Sequence, residues 1–130
     1  MKWVNKGHEL EKLAVTIPKR FCEKVYIFGA GKLGRSTGLC LDEFGLLAGF
    51  IDNNRKRQGS RYLEKPIISL EEYLYFADEP TIVIAASQKN MAEIEQQLLG
   101  KNLFHGRDYY LNDEFNDEIL PIIATYYFDK

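Results

Sequence analysis

The sequence predicts a doubly wound α/β fold, in which a parallel sheet lies between two layers of helices, and two observations predict it. Short apolar runs alternate regularly with segments of helical periodicity along the chain. The first apolar run leads directly into a glycine-rich turn. We therefore expect a three-layer α/β/α arrangement of the Rossmann-like type, with parallel strands in the order 3-2-1-4-5.

The strands of this sheet are predicted from five short apolar runs. The first and fourth are almost continuously apolar, as expected for parallel strands that are covered on both faces. The five predicted strands are residues 24–28, 46–51, 66–68, 81–86 and 109–111.

The first helix after the glycine turn is predicted over residues 32–44. Apolar and small residues recur there at helical spacing and predict one buried stripe. The stripe consists of Leu33, Thr37, Cys40, Leu41 and Phe44. Gly45 follows in the position where a left-handed residue commonly ends a helix.

Two further helices are predicted from capping residues. Ser69 and Glu72 form a capping box that begins a helix extending to about residue 77. Asn90 and Glu93 form a similar pair before a helix that ends at Gly100. The buried stripe predicted for that helix is Met91, Ile94, Leu98 and Leu99.

Domain organisation is predicted as one domain over residues 1–130, with its core in 24–111. A leading helix is expected within 1–23, where Leu10, Leu13 and Ala14 recur at helical spacing. The tail, 112–130, leaves alternatives open. Phe115, Ile119 and Leu120 could line another helix, whereas 122–128 could form an edge strand, a packing tail or a lead into another domain.

Composition narrows the classes of partner. The chain has 130 residues, 45% hydrophobic and 28% charged, with a formal net charge of −2. That charge provides no bulk attraction to nucleic acid or anionic lipid, so we expect neither partner. No apolar run approaches the ~20 residues of a membrane span. Cys22 and Cys40 make no disulfide framework, and Cys40 is expected to be a buried free thiol, which favours a cytoplasmic location.

The glycine turn, G-x-G-x-x-G over residues 29–34, is the main candidate for ligand binding. Gly29 would make the tight turn, Gly31 would let a phosphate approach the backbone, and Gly34 would let the helix pack closely on the strand. The amides of the first helical turn would then face an anion. The turn residues predicted to bind a cofactor are Gly29, Ala30, Gly31, Lys32, Leu33 and Gly34.

Polar residues after other strands could complete this site. Asp52 ends the second strand, 18 residues beyond Gly34, where an acid commonly accepts ribose hydroxyls; it could instead cap the turn at Asn53 and Asn54. Asn53, Ser87 and Gln88 are further candidate contacts for the cofactor. Ser87 and Gln88 follow the fourth strand, at the carboxyl edge where open α/β sheets bind ligands. The basic cluster Arg55, Lys56, Arg57 and Arg61 could meet a second phosphate or could simply be solvated.

Catalytic and metal-binding motifs are not found in the sequence. His8 and His105 have no Cys or carboxylate at ligand spacing, so no metal site is predicted. Tyr126 and Lys130 have the spacing used by short-chain dehydrogenases, but no partner serine is found upstream. No catalytic residue is therefore predicted, and whether the chain is an enzyme stays open.

The segments 26–34, 49–54 and 65–73 together resemble a bacterial family of small Rossmann-like domains attached to surface-polysaccharide enzymes. These include the N-terminal domains of bacillosamine- and sialic-acid-type sugar acetyltransferases and the leading domains of membrane nucleotide-sugar dehydratases. The resemblance covers residues 25–111. It implies NAD or a nucleotide-sugar as ligand, with phosphate at the glycine turn and the ribose or base at Asp52. The chain lacks the acetyltransferase hexapeptide repeats and the dehydratase transmembrane helices and catalytic domain, so catalysis does not carry over.

Three functions are consistent with these observations. The first is a nucleotide-binding module for NAD(H), NADP(H) or a nucleotide-sugar in surface-polysaccharide or sugar metabolism, acting as a homodimer or within a larger multidomain enzyme. The second is a small NAD(P)-dependent oxidoreductase that acts on a sugar nucleotide. The third is a non-enzymatic interaction or oligomerisation module.

Overall fold

A central six-stranded sheet dominates the computed structural model, which describes residues 24–78 and 80–122. The strands are β1 (Val25–Phe28), β2 (Leu47–Ile51), β3 (Arg61–Tyr62), β4 (Lys65–Ile68), β5 (Ile82–Ile84) and β6 (Tyr109–Leu111). Their order is β3-β4-β2-β1-β5-β6. All neighbours are parallel except β3 and β4. The predicted α/β class and the order of the five parallel strands are therefore confirmed.

The sixth strand, β3, was not predicted from the sequence. Arg61 pairs with Pro66 and Tyr62 with Lys65, which makes a tight antiparallel hairpin at one edge of the sheet. Leu63 and Glu64 form its turn with φ angles of 49° and 65°. Neither residue type is typical of left-handed turn positions, so the sequence carried no hairpin signal there.

The predicted helices lie between the parallel strands, as expected. A 3₁₀ turn (Lys32–Gly34) leads into α1 (Arg35–Glu43), and α2 (Leu70–Phe76) and α3 (Gln88–Leu99) follow β4 and β5. A short α4 (Asn112–Glu114) continues into a π-helical turn (Phe115–Ile119). Gly45 has a φ of +72°, which confirms the left-handed residue predicted after α1.

Two hydrophobic clusters cover the two faces of the sheet. Successive strand residues alternate between them, since Ile27 belongs to one cluster and Phe28 to the other. The first cluster packs against α1 and the π-helical turn through Leu41, Phe115 and Ile119. The second packs against α2 and α3 and contains Leu70, Tyr73, Ile94 and Leu98. The domain is thus a three-layer sandwich.

Several details of the predicted helices were wrong. Ser87, not Asn90, caps α3, because its Oγ accepts a hydrogen bond from the amide of Asn90 at 3.4 Å. Leu33 is 57% exposed because it lies in the 3₁₀ turn beyond the buried face, and Leu99 is 44% exposed near the end of α3. Cys40 is a free cysteine that is only partly buried, and this partial burial raises the pKa of its thiol.

The chain ends are only partly described. Phe115 and Ile119 are fully buried in a helical segment, as the sequence allowed. The predicted leading helix, Cys22, and residues 123–130 lie outside the described residues. The single-domain organisation over 1–130 stays a prediction.

Candidate functional site

Gly29 turns the chain immediately after β1, between the ends of two neighbouring strands. Its amide donates to the carbonyl of Ile51 at 2.7 Å, and its φ is +123°. A Cβ at this position would lie 2.2 Å from the carbonyl oxygen of Ala85. Only glycine fits this turn, because both the backbone angle and the space exclude a side chain.

Gly34 lies where the helical segment crosses the sheet. A Cβ there would be 2.9 Å from the Cβ of Ala85 and 2.9 Å from Cγ2 of Ile27. The missing side chain therefore allows the close approach of α1 to β1 and β5. Gly34 and Ala30 are both buried, and neither lines the cleft described below.

The amides of Gly31, Lys32 and Leu33 are open at the start of the helical segment. None of them has a hydrogen-bond acceptor among the described residues, whereas the next amide, of Gly34, donates to the carbonyl of Gly31 at 3.3 Å. The first amides of a helix carry the positive end of its dipole. This arrangement attracts an anion.

Asp52 lies beside the turn, at the carboxyl end of β2. Its Oδ2 accepts from the amide of Ala30 at 3.0 Å, and its Oδ1 accepts from the amide of Asn54 at 2.8 Å. The carboxylate thus holds the glycine turn and also caps the turn that follows it. Asp52 therefore caps the turn, which was one of the two roles that the sequence allowed. Arg57 donates a third hydrogen bond to the carboxylate. Because a carboxylate has about four acceptor positions, one remains open.

Arg57 is the basic residue that reaches the glycine turn. Its Nη1 donates to the carbonyl of Ala30 at 2.7 Å and lies 3.3 Å from Oδ2 of Asp52. The same nitrogen would be 3.6 Å from a Cβ at Gly31. Sequence patterning did not separate Arg57 from its basic neighbours Arg55, Lys56 and Arg61, because the side-chain direction depends on how the loop folds.

A cleft of about 450 Å³ opens over these groups, at the carboxyl edge of the sheet between β1 and β5. This is the edge where open α/β sheets bind ligands. Seven of the predicted residues line it: Gly29, Gly31, Lys32, Leu33, Asp52, Asn53 and Ser87. Further lining residues that the sequence did not single out are Phe28, Asn54, Arg57, Ala85, Ala86, Asn90, Glu93 and Ile94.

Two predicted contacts already have structural partners. Asn53 and Gln97 form a reciprocal pair of side-chain amide hydrogen bonds at 3.0 and 3.2 Å. Ser87 caps α3. Both residues border the cleft while these bonds fix their side chains.

Gln88 lies in a different cavity of about 740 Å³ on the other side of the loop after β5. The two cavities share Leu33, Ala85, Ala86 and Ser87 as a common wall. Apolar side chains line part of the larger cavity, and the segment from β6 onward adds carboxylates. These carboxylates belong to Asp113, Glu114, Asp117 and Glu118. No sequence motif marked this segment as part of a site.

His105 is paired with a carboxylate, which the sequence did not anticipate. Its Nε2 lies 2.7 Å from Oε1 of Glu114, and its ring stacks on Tyr109. Within residues 24–78 and 80–122, no three His, Cys, Asp or Glu side chains come together as metal ligands. In the same ranges, no helix has the length and apolar character to cross a membrane.

The comparisons with known proteins identify a solved structure of similar fold. The sequence matches no protein-family model and no curated protein. A crystal structure of RSP, a Rex-family repressor, superimposes with a TM-score of 0.56 at 14% identity, over 92% of this chain and 66% of that one. The likeness is one of fold. This chain therefore spans slightly less than two thirds of the length of the repressor.

The expected membership in a surface-polysaccharide family is corrected by this result. The structure that superimposes is that of a repressor, and neither a family model nor a curated protein supports the resemblance. The resemblance rested on three segments: the glycine turn (26–34), the end of the second strand with its acid (49–54) and residues 65–73. In the structure the last segment is β4 and the start of α2, so all three are parts of the sheet and its first crossovers. Such elements indicate the fold and do not by themselves establish a function. The neighbour likewise gives no support to a nucleotide-sugar ligand or to an absence of nucleic-acid partners.

Proposed function

We propose that this chain is a nucleotide-binding module that takes an adenine dinucleotide of the NAD type. The diphosphate binds at the amides of Gly31, Lys32 and Leu33, and the adjoining ribose binds at Asp52. The observation that carries the proposal is the set of three open amides at the start of a helix, beside an acid with a remaining lone pair.

The second cavity favours a dinucleotide over a mononucleotide. It adjoins the first cleft across the shared wall, so a ligand with its diphosphate at the glycine turn has space on both sides of the loop after β5. This is the position of the switch in strand order, since β1 lies between β2 and β5. Dinucleotides bind across such a switch in doubly wound folds.

Replacing Gly31 with alanine tests the proposal. The backbone at Gly31 is extended and a Cβ would meet only Arg57 at 3.6 Å, so Gly31→Ala should fold. The added methyl group would occupy the approach of the diphosphate. We expect the affinity for NAD⁺, NADH and ADP-ribose in calorimetric titration to fall by at least about tenfold.

The matched control is Gly100→Ala at the end of α3. Gly100 has an ordinary helical φ of −64° and lies outside both cavities. Its affinity should equal that of the wild type. Absence of binding to the wild-type chain at millimolar concentration, or an unchanged affinity in Gly31→Ala, would contradict the proposal.

A second candidate is a regulator that responds to the bound nucleotide, which the likeness to a Rex-family repressor favours. An oxidoreductase would consume NADH with a carbonyl substrate, whereas a regulator would bind the cofactor without turnover. NADH absorbance with a panel of carbonyl compounds distinguishes the two. Anisotropy of fluorescent duplex DNA, with and without NADH, tests the regulatory candidate directly.

A further inference from the structure

The loop after β2 holds Arg57 in a defined position. Its amide donates to the carbonyl of Asn54 at 2.9 Å, and its carbonyl accepts from the amide of Ser60 at 3.1 Å. Gln58 fixes the start of the loop, since its Nε2 donates to the carbonyl of Asp52 at 2.8 Å. The guanidinium is therefore presented by an ordered loop.

The guanidinium has unused donors next to the open amides. Nη1 makes both of the side chain's hydrogen bonds, and Nε and Nη2 have no acceptor among the described residues. A guanidinium carries five N–H groups in a planar fork suited to phosphate oxygens. Arg57 lines the same cleft as the open amides, so its free donors and those amides serve one region of space.

The charged side chains that line the cleft explain why the position of the Arg57 guanidinium matters for binding an anion. Among the described residues that line it, Lys32 and Arg57 are basic and Asp52 and Glu93 are acidic. The ionised side chains therefore cancel in number, so the attraction of an anion depends on the open amides and on where the positive side-chain charge is placed. Nη1 of Arg57, 3.6 Å from the Cβ position of Gly31, provides that placement.

We propose, on the basis of the proposed function, that Arg57 is the side chain that recognises the diphosphate. When the anion binds, the guanidinium pairs with it and releases Oδ2 of Asp52. The carboxylate, which now accepts three hydrogen bonds, then has two acceptor positions for the two ribose hydroxyls. One residue thereby couples the phosphate and ribose contacts.

A 2′-phosphate on the ribose is the other source of phosphate that could meet Arg57. The geometry favours the diphosphate, because a 2′-phosphate would lie against the Asp52 carboxylate, whereas Nη1 lies beside Gly31 and the open amides. The two sources are distinguished by comparing 5′-ADP with 2′-AMP.

The experiment compares Arg57→Met with Arg55→Met in ligand-observed NMR titrations of 5′-ADP, 2′-AMP and adenosine. Arg55 is an exposed arginine of the same loop and lies outside the cleft. Arg57→Met should weaken 5′-ADP by about 10- to 100-fold and should leave adenosine within about twofold. Arg55→Met should match the wild type, and Arg57→Lys should recover part of the loss because it keeps the charge without the fork.

The outcomes separate this inference from the proposed function. If the wild type binds none of the three ligands, both fail. If the wild type binds 5′-ADP and Arg57→Met binds it equally well, only the role of Arg57 is overturned. A loss for 2′-AMP as large as that for 5′-ADP also overturns it. Retained adenosine binding in Arg57→Met shows that the variant is folded.

Discussion

At the residue scale, the glycines of the turn have different tasks, although the sequence motif treats them alike. Gly29 is required by the fold, because a Cβ there would overlap the carbonyl of Ala85. Gly31 is not required by the fold, since its backbone is extended and the space beside it is open apart from Arg57. Stability should therefore depend on Gly29 and ligand affinity on Gly31.

Gly29→Ala should lower the free energy of unfolding by about 3 kcal/mol or more, because it adds a backbone clash to left-handed strain. Gly45→Ala is the matched control. Its φ is +72° but nothing lies within 4 Å of the added Cβ, so only the strain of about 1 kcal/mol remains. Urea unfolding of both variants measures the difference. Equal losses would show that the contact with Ala85 does not restrict this turn.

Single residues were only partly predictable. The position of Asp52 beside the turn follows from the parallel register of β1 and β2, which brings both strand ends together. The direction of Arg57 could not follow from sequence, because it depends on hydrogen bonds within the loop of residues 53–60. The exposure of Leu33 was missed because its spacing matches the buried stripe although the residue precedes α1.

At the scale of elements, helix caps decide where α2 and α3 begin. The Oγ of Ser69 accepts from the amide of Glu72 at 3.1 Å, and the Oγ of Ser87 accepts from that of Asn90 at 3.4 Å. Sequence patterning found the first cap but placed the second three residues too late. Asn90 and Glu93 have cap-like spacing too, and periodicity cannot choose between neighbouring caps.

Ser69→Ala should destabilise the fold by about 1 kcal/mol and leave nucleotide affinity unchanged, because it removes a cap outside the cleft. Ser87→Ala separates two roles, since Ser87 caps α3 and also lines the cleft. If it only caps, stability alone falls; if it also contacts ligand, the affinity for ADP-ribose falls as well. Thermal unfolding and calorimetric titration of both variants provide the two readouts. A stability loss in neither variant would contradict the assignment of these caps.

At the scale of the whole molecule, a side-chain hydrogen bond joins the edge strand β6 to a helix on one face of the sheet. The hydroxyl of Tyr109, on β6, donates to Oε2 of Glu95, on α3, at 2.7 Å. Burial, this hydrogen bond and the nearby carboxylates of Glu95 and Glu114 raise the pKa of Tyr109 well above its ordinary value of 10.0. Above about pH 10, the unfolded state therefore loses the phenolic proton of Tyr109 while the folded state keeps it.

That difference predicts a loss of stability at alkaline pH. Because the folded pKa is raised, the contribution is fully present below pH 10.0 and declines as the pH rises above it. The free energy of unfolding should fall by up to about 1.4 kcal/mol per pH unit from this group. Urea unfolding between about pH 8 and 11 should show a shallower decline for Tyr109→Phe. Tyr75→Phe is the control, since Tyr75 is 94% exposed, and its decline should match the wild type.

The global arrangement was the most predictable level. Apolar runs and connection lengths fix the order of five parallel strands, because a parallel sheet with helical crossovers has few alternatives. The burial of Phe115 and Ile119 completes one face, yet the tail's contribution to the larger cavity was not foreseen. The side chains that line this cavity come from distant segments and are brought together only by the fold, so no local sequence motif predicts that they lie close together.

The hairpin of β3 and β4 also determines how one border of the sheet meets other molecules. An unpaired strand commonly invites a second chain to extend the sheet. Here the outermost strand is two residues long and carries the exposed Arg61, and the chain bends sharply at Leu63 and Glu64. Little straight backbone remains for a strand of a second chain to pair with, so this edge disfavours edge-to-edge extension of the sheet.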